Sequence, residues 1–100
     1  MAEVRVAAAA LEDLRELILT HELPADTSLR VARRLRALGR FPQLGPALGG
    51  RWVGTRYVLG PWPWLVIVYE HDESRDIVTV LTMQDARRAS SPTSQRLGRA

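Results

Sequence analysis

The sequence predicts an α+β fold with the element order β-α-α-β-β-β, in which a helical hairpin packs on one face of a small, mainly antiparallel sheet. Three observations predict it: a short alternating segment opens the chain, two segments of helical periodicity follow, and three runs rich in β-branched residues fill the second half. One hundred residues, 46% hydrophobic and 25% charged, are enough for one globular domain with a single core.

The first two predicted elements are a strand and a helix. The segment EVRV, residues 3–6, alternates polar and apolar side chains and predicts a strand that ends near Ala7. Apolar side chains then recur at helical spacing over about three turns, and charged residues take the other face. These apolar residues are Leu11, Leu14, Leu17 and Ile18. The segment HELPAD, residues 21–26, breaks this helix.

A second amphipathic helix is predicted from about Thr27 to Leu38. Asp26, Thr27 and Ser28 are candidate N-cap residues, and Gly39 occupies the position of a C-terminal cap. The two helices in succession form a helical hairpin with an apolar side that can lie on a sheet.

The two faces of the second helix differ in character. Its apolar residues share one arc of the helical wheel: Val31, Ala32, Leu35 and Leu38. Arg30, Arg33 and Arg34 project from the opposite side. Arg36 and Arg40 lie at the edge of that basic side. We predict that Arg30, Arg33 and Arg34 bind a partner, with a merely solvated face as the alternative.

The remaining strands follow a loop rich in Gly and Pro, residues 40–51. WVGTRYVL, residues 52–59, predicts a strand with Thr55 and Tyr57 on one face and Arg56 and Val58 on the other. LVIVY, residues 65–69, is apolar on both faces, which is typical of an inner strand. IVTVLTM, residues 77–83, predicts the last strand, and the six polar residues from His71 to Asp76 suit a hairpin.

Composition limits the kinds of chemistry and the location. The chain has no cysteine, which excludes disulfides and thiolate catalysis and is expected in a reducing cytoplasm. We predict no membrane span, no targeting segment and a cytoplasmic location, because the longest apolar run is too short for a bilayer. The net charge is +3 and every basic residue is arginine, which favours nucleic acid or an acidic peptide as the partner. The arginine bias of a GC-rich genome is the alternative explanation.

Several segments resemble one family when they are taken in order. The segment GTRYVLGPWPWLVIVYEHDESRDIVTVLTMQDAR, residues 54–87, resembles the carboxyl half of the RelE/ParE superfamily of bacterial type II toxins. VRVAAAALEDLREL, residues 4–17, is similar to the family's first strand and helix, and RLRALGRFPQLGPALGG, residues 34–50, to its second helix and the loop after it. The resemblance covers residues 3–88 and implies a toxin domain over residues 1–89, with residues 90–100 as a disordered basic tail.

The resemblance implies the toxin of a type II toxin–antitoxin pair, which a cognate antitoxin neutralises and which acts on translation or on DNA gyrase. As an enzyme it would be a ribosome-dependent mRNA endoribonuclease, without a cofactor or a metal. The candidate catalytic residues are Arg51, Arg56, Arg87 and Arg88, which could bind phosphate, and Asp85, which could act as a base or pair with an arginine.

The chain departs from the family where proton transfer would take place. Trp64 stands where an arginine commonly enters the third strand, Leu81 replaces a basic residue of the last strand, and Gln84 replaces a histidine. No tyrosine follows Arg88. The catalytic residues of the family are therefore poorly matched, and we expect RNA cleavage to be slow or absent.

Two tryptophans lie in the proline-rich segment GPWPW, residues 60–64. Pro61 and Pro63 fix φ on either side of Trp62, so the turn presents Trp62 and Trp64 stiffly at the mouth of the sheet. Both are candidate partner-binding residues, with simple packing at the end of the core as the alternative.

The other polar candidates are interpreted as structural. His21 and His71 are predicted to be surface residues and not metal ligands, since neither has carboxylates or cysteines at ligand spacing. Asp72, Glu73 and Asp76 are predicted turn formers. Two further interpretations of function stay open: a nucleic-acid-binding module that uses the arginine face, and an inactive toxin-fold protein that only binds an antitoxin.

Overall fold

The computed structural model describes residues 1–88, and the tail predicted for residues 90–100 lies outside the described residues. Its elements follow the predicted order. They are strand β1 Glu3–Val6, helices α1 Ala8–His21 and α2 Thr27–Arg40, a single 3-10 turn Gly50–Trp52, and strands β2 Arg56–Leu59, β3 Leu65–Asp72 and β4 Ile77–Asp85. Neither helix of this part of the chain combines the length and the apolar content needed to cross a membrane.

The four strands form one sheet in the order β1-β4-β3-β2. β1 runs parallel to β4, while β3 is antiparallel to both β2 and β4, so the predicted mainly antiparallel sheet is confirmed. β3 is an inner strand as expected: residues 65–69 are fully buried. A register shift between Val68 and Tyr69 interrupts the pairing of β3 with β4.

Each face of β3 is covered by a different layer. Leu65, Ile67 and Tyr69 belong to the main core, which the helices cover. Val66 and Val68 belong to a smaller cluster on the other face, under residues of the loop that precedes β2. This double coverage explains why the run LVIVY has no polar position.

Both helices bury the predicted apolar stripes, with two exceptions. Leu11, predicted on the apolar side of α1, is 50% exposed. α1 buries Ala10, Leu14 and Leu17, and α2 buries Val31, Leu35 and Leu38. Ala32, which was predicted on the buried arc, is exposed and lines a groove beside β1. The reason is that β1 lies under one side of α2 only, so the edge of the arc stays open.

The predicted cap at Gly39 is wrong. α2 continues to Arg40, and Gly39 is buried inside its last turn. The backbone of Ala2 donates a 2.8 Å hydrogen bond to the Gly39 carbonyl, and a Cβ at Gly39 would lie 3.2 Å from the Ala2 oxygen. Glycine at this position allows the close approach of the chain that enters β1, and a side chain there would crowd the Ala2 backbone.

The strand predicted over residues 52–59 is shorter than expected. β2 comprises Arg56–Leu59 only, because residues 50–52 form a 3-10 turn and Gly54 has a φ of +91° that breaks an extended run. The predicted faces are confirmed for the strand itself, since Val58 packs on the main core and Tyr57 on the smaller cluster. β3 and β4 extend further than predicted, to Asp72 and Asp85, so the hairpin loop is shorter.

Candidate functional site

Six side chains from four parts of the chain meet at one end of the sheet. They come from the end of α1, the first half of α2, the turn before β3 and the end of β4. We call them the Asp85 cluster: His21, Arg30, Trp62, Trp64, Asp85 and Arg87. Strand pairing builds this end, because Leu65 lies opposite Asp85 and the backbone of Ala86 donates to the Trp64 carbonyl at 2.6 Å.

Asp85 is the buried centre of the cluster, with 9% of its side chain exposed. The Arg87 guanidinium donates to both carboxylate oxygens, from Nε to Oδ1 at 2.8 Å and from Nη2 to Oδ2 at 2.7 Å. The Arg87 backbone N–H adds a bond to Oδ1 at 2.9 Å. Such a bidentate pair is the strongest geometry for arginine and a carboxylate, and the predicted pairing of Asp85 with an arginine is confirmed.

His21 completes the environment of Asp85, and its prediction as an isolated surface residue is wrong. Its Nε2 lies 3.2 Å from Asp85 Oδ2, and its Nδ1 lies 3.2 Å from the Leu17 carbonyl oxygen. Both ring nitrogens thus face oxygen atoms of the protein. Glu22, with a φ of +50°, ends α1 directly after His21.

The aromatic rings of the cluster stack on one another. His21 lies on Trp64 with ring centroids 4.8 Å apart and an interplanar angle of 14°, and Trp62 follows at 6.0 Å from Trp64. The guanidinium of Arg87 lies 4.9 Å from the Trp64 centroid, and that of Arg30 lies 5.9 Å from the Trp62 centroid. Both tryptophans pack against the main core, which confirms their packing role. Stacked rings with cationic neighbours also stabilise one another.

The electrostatics of the cluster make Asp85 a weak base. The hydrogen bonds from the Arg87 side chain lower the pKa of Asp85 well below its usual range, and the Arg87 backbone N–H and His21 act in the same direction against the effect of burial. The same pair raises the pKa of Arg87. A carboxylate held in its ionised form by this many donors has little tendency to accept a proton.

Arg56 lies away from the cluster. Its Nη1 donates to the Gly45 carbonyl at 2.8 Å, and the neighbouring Tyr69 hydroxyl accepts a bond from the Gly45 N–H at 3.0 Å. Arg56 pairs with Tyr69 in the sheet, four residues along β3 from the level of Asp85, a distance of about 13 Å. Burial raises the pKa of Tyr69, which keeps its hydroxyl protonated. Arg56 and Tyr69 together hold the loop before β2 at Gly45.

Of the other two predicted catalytic arginines, one lies apart from the Asp85 cluster and one lies beside it. Arg51 is exposed, and its guanidinium lies 5.7 Å from the ring centroid of Trp52, which covers the opposite face of the sheet. Arg88 lines a cavity of about 140 Å³ together with Asp85, Asp13 and Glu16, and its backbone N–H donates to the Asp85 carbonyl at 3.0 Å. The structure therefore brings Arg87 and Arg88 together next to Asp85 but leaves Arg51 and Arg56 elsewhere.

The three arginines predicted to bind a partner do lie together. Arg30, Arg33 and Arg34 line a shallow groove of about 290 Å³ with Ala37 and Pro61, next to the tryptophan turn. We call this groove the arginine groove.

A larger groove between β1 and α2 was not predicted. It measures about 680 Å³, and most of its lining is apolar. Met1 and Phe41 are 89% and 59% exposed at its rim, and Arg36 and Arg40 add positive charge there. The signal available in the sequence was the position of these two arginines at the edge of the basic side of α2. We call it the β1–α2 groove.

His71 is the second histidine whose surface prediction is wrong. Only 13% of its side chain is exposed, and its Nε2 lies 3.0 Å from Asp76 Oδ1 across the hairpin. Asp76 and Asp72 are turn residues as predicted, since Asp76 has a φ of +53° and Asp72 accepts bonds from Ser74 and Arg75. Within residues 1–88, no three His, Cys, Asp or Glu side chains are grouped so that they could hold a metal ion.

Comparison with known proteins places this fold in a defined class. No protein-family model matches the chain, and no curated protein matches it in sequence. Its structure is similar to that of small α+β toxins from bacterial toxin–antitoxin pairs. More specifically, the chain has the RelE toxin fold, which confirms at the level of the fold the resemblance predicted from the sequence.

Three solved structures illustrate the similarity. A chain of the toxin–antitoxin complex RelBE2 from Mycobacterium tuberculosis is 23% identical with a TM-score of 0.65, over 84% of this chain and 96% of that one. A chain of the intact E. coli RelBE complex is 16% identical with a TM-score of 0.64, over 88% and 100%. The isolated E. coli RelE toxin is 15% identical with a TM-score of 0.65, over 98% and 100%.

Proposed function

We propose that the protein is the toxin component of a type II toxin–antitoxin system and that a cognate antitoxin neutralises it in the cytoplasm. The observation that carries this proposal is the RelE fold: matches to toxin–antitoxin complexes and to an isolated toxin extend over 84% to 98% of the chain. A fold can serve several functions, so the proposal needs a site for the partner as well.

The β1–α2 groove supplies such a site. β1 is an edge strand, and the backbone N–H groups of Glu3 and Ala7 bond to the carbonyls of Asp76 and Val80 on the β4 side. Because strand residues alternate, the backbone groups of Val4 and Val6 point away from β4 and are available to a further strand. The apolar lining and the two arginines at the rim suit an acidic antitoxin segment that carries apolar side chains.

We further propose that the toxin acts by binding its target and that RNA cleavage is slow or absent. Cleavage through a 2′-hydroxyl needs a group that accepts a proton. Asp85 is held ionised by Arg87, and both ring nitrogens of His21 lie 3.2 Å from oxygen atoms of the protein, so neither is directed at a bound substrate. What the cluster offers outward is the exposed guanidinium of Arg87 and the partly exposed ring of Trp62, which suit binding to the translation machinery or to DNA gyrase.

Induced expression in a bacterial host tests the proposal. Expression of the protein alone should arrest growth, and co-expression of the protein encoded by the neighbouring reading frame should restore it. Normal growth at a verified level of soluble protein would contradict the proposal and would favour an inactive relative that only binds an antitoxin.

A pair of matched variants tests the site of neutralisation. Ala32→Glu places an acidic group in the β1–α2 groove, whereas Ser28→Glu places one at an exposed position of α2 one turn away. Only Ala32→Glu should weaken rescue by the partner, because it repels an acidic segment, and both variants should remain toxic. Equal rescue of the two variants would place the antitoxin elsewhere.

A further inference from the structure

The arginine groove carries more positive charge than the fold requires. Arg30 has an acidic neighbour, Asp26 Oδ2 at 3.1 Å, and both side chains are about half exposed. Arg33 and Arg34 are exposed, and neither has a hydrogen bond or an ion pair with any residue in 1–88. Two guanidinium groups at the groove are thus free to bind an anion.

The charge pattern of α2 also opposes its stability as a helix. The segment TSLRVARRLRALGR contains five arginines and no acidic residue. Arg30 and Arg34 stand four residues apart, where like charges repel across one turn. Arg36 and Arg40 lie near the C-terminus of the helix, where positive charge is favourable. The repulsion in the first half of the helix is better explained by a ligand than by folding.

The shape of the arginine groove favours phosphate over a peptide. Its other lining residues are Ala37 and Pro61. Neither has a polar side chain, so the three guanidinium groups are the polar binding groups of the groove, and Pro61 has no backbone N–H to pair with an extended peptide. The planar fork of arginine matches phosphate oxygens in a bidentate manner. An acidic peptide with apolar side chains fits the larger β1–α2 groove instead.

The spacing of the arginines suits a chain of phosphates. Arg30 and Arg34 are separated by about 6 Å along the helix axis, which is close to the rise of two nucleotides at about 3.4 Å each. The partly exposed Trp62 lies beside Arg30 at the end of the groove, where its position also suits a nucleic-acid strand.

We infer that the arginine groove binds the phosphodiester backbone of a nucleic-acid strand, with Arg33 and Arg34 as the principal contacts and Arg30 as the third. Contacts to phosphates carry no sequence information, so binding is independent of sequence. This inference goes beyond the proposed function and concerns the isolated protein, so it holds or fails whether or not the protein is toxic.

Salt-dependent binding tests the inference. The full chain is titrated against fluorescent single-stranded RNA and DNA 12-mers of one mixed sequence and against a poly-glutamate peptide, with anisotropy recorded from 50 to 200 mM salt. The test variant is Arg33→Gln/Arg34→Gln. The matched control is Arg36→Gln/Arg40→Gln, which removes the same charge from the same helix on the side of the other groove.

The expected result follows from the release of counterions. Three phosphate contacts give a single strand a slope of about −2.1 in log K against log salt, so affinity for RNA should fall about 20-fold between 50 and 200 mM. With one contact left, the Arg33→Gln/Arg34→Gln protein should show a slope of about −0.7 and a fall of only about threefold. The control should keep the wild-type slope, and circular dichroism melting should show no loss of folding in either variant.

Equal slopes for the test and control variants would overturn the inference, since they would indicate a diffuse effect of net charge. Stronger binding of poly-glutamate than of either nucleic acid, lost in the Arg33→Gln/Arg34→Gln protein, would also overturn it and would assign the groove to an acidic peptide. Comparison of RNA with DNA shows whether the groove distinguishes the two nucleic acids. Equal affinity supports recognition of the phosphodiester backbone alone. A preference for RNA supports an added contact to the 2′-hydroxyl.

Discussion

Replacing Asp85 by Asn removes the charge at the centre of the Asp85 cluster with almost no change of shape. The remaining oxygen still accepts the bonds from the Arg87 backbone N–H and Nε. The new amide N–H₂ replaces Oδ2, which accepts a bond from Arg87 Nη2 and lies next to His21 Nε2. The Arg87 group can only donate, so a donor then faces a donor.

The expected loss of stability follows from the burial of Asp85 and Arg87. A hydrogen bond to a charged group contributes about 1.5–3 kcal/mol, and loss of one partner of a buried pair costs about 3–5 kcal/mol. The Asp85 side chain is 9% exposed and that of Arg87 is 61% exposed, so Arg87 regains water when it is released. We therefore expect Asp85→Asn to lower the free energy of unfolding by about 2–3 kcal/mol at pH 7.

The stability lost in Asp85→Asn should be smaller at low pH than at pH 7. The native pKa of Asp85 is lowered, so its contribution is present above the unfolded pKa of about 3.9 and declines as the pH falls below that value. Between pH 7 and pH 3 the difference between wild type and Asp85→Asn should shrink by about 1.3 kcal/mol, because the unfolded carboxyl takes up a proton while the native one does not.

Urea unfolding at pH 7 and pH 3 measures both effects. Asp26→Asn is the matched control, since Asp26 pairs with Arg30 but both side chains are about half exposed, and it should cost less than about 1 kcal/mol. An Asp85→Asn loss no larger than that of the control, or a difference that grows at pH 3, would refute the reasoning.

Four further substitutions test the loop before β2. Gly45→Ala should destabilise the protein by more than about 3 kcal/mol, because a Cβ would overlap the Tyr57 carbonyl, whereas Gly49→Ala, with no atom within 4 Å of its Cβ, should be neutral in thermal melting. Tyr69→Phe should cost about 1–2 kcal/mol in urea unfolding, since it leaves the buried Gly45 N–H without its acceptor. Arg56→Gln should lower stability by about 1–2 kcal/mol through the loss of its bond to the Gly45 carbonyl, and growth arrest per amount of soluble protein should not change.

The fold could be predicted because its signals are local. The helical periodicity around Leu14 and Val31 and the unbroken apolar run of residues 65–69 each specify an element and its buried side. Gly39 misled the prediction because a glycine near a helix end indicates a cap, while here it serves a contact with Ala2, which lies far away in sequence.

The candidate site was less predictable because its contacts join distant residues. His21 and Asp85 are 64 positions apart, and no spacing rule connects them. A regular hairpin would pair Trp64 directly with Asp85. The register shift after Val68 displaces the pairing by one residue, so Leu65 lies opposite Asp85. Arg56 was grouped with Arg87 because both match positions of the family, and only the structure separates a guanidinium that holds a loop from one that lies at the surface.

The most direct test of the account is primer extension on mRNA from cells induced to express the protein, with DNA supercoiling measured in the same culture. The account predicts growth arrest without discrete cuts positioned by codon, because Arg87 makes Asp85 a weak base and both ring nitrogens of His21 lie against oxygen atoms of the protein. Altered supercoiling would identify gyrase as the bound target, and unaltered supercoiling with arrested protein synthesis would identify the translation machinery. Discrete codon-positioned cuts with normal supercoiling, weakened by Arg87→Gln, would contradict the account and would assign the protein a ribonuclease activity.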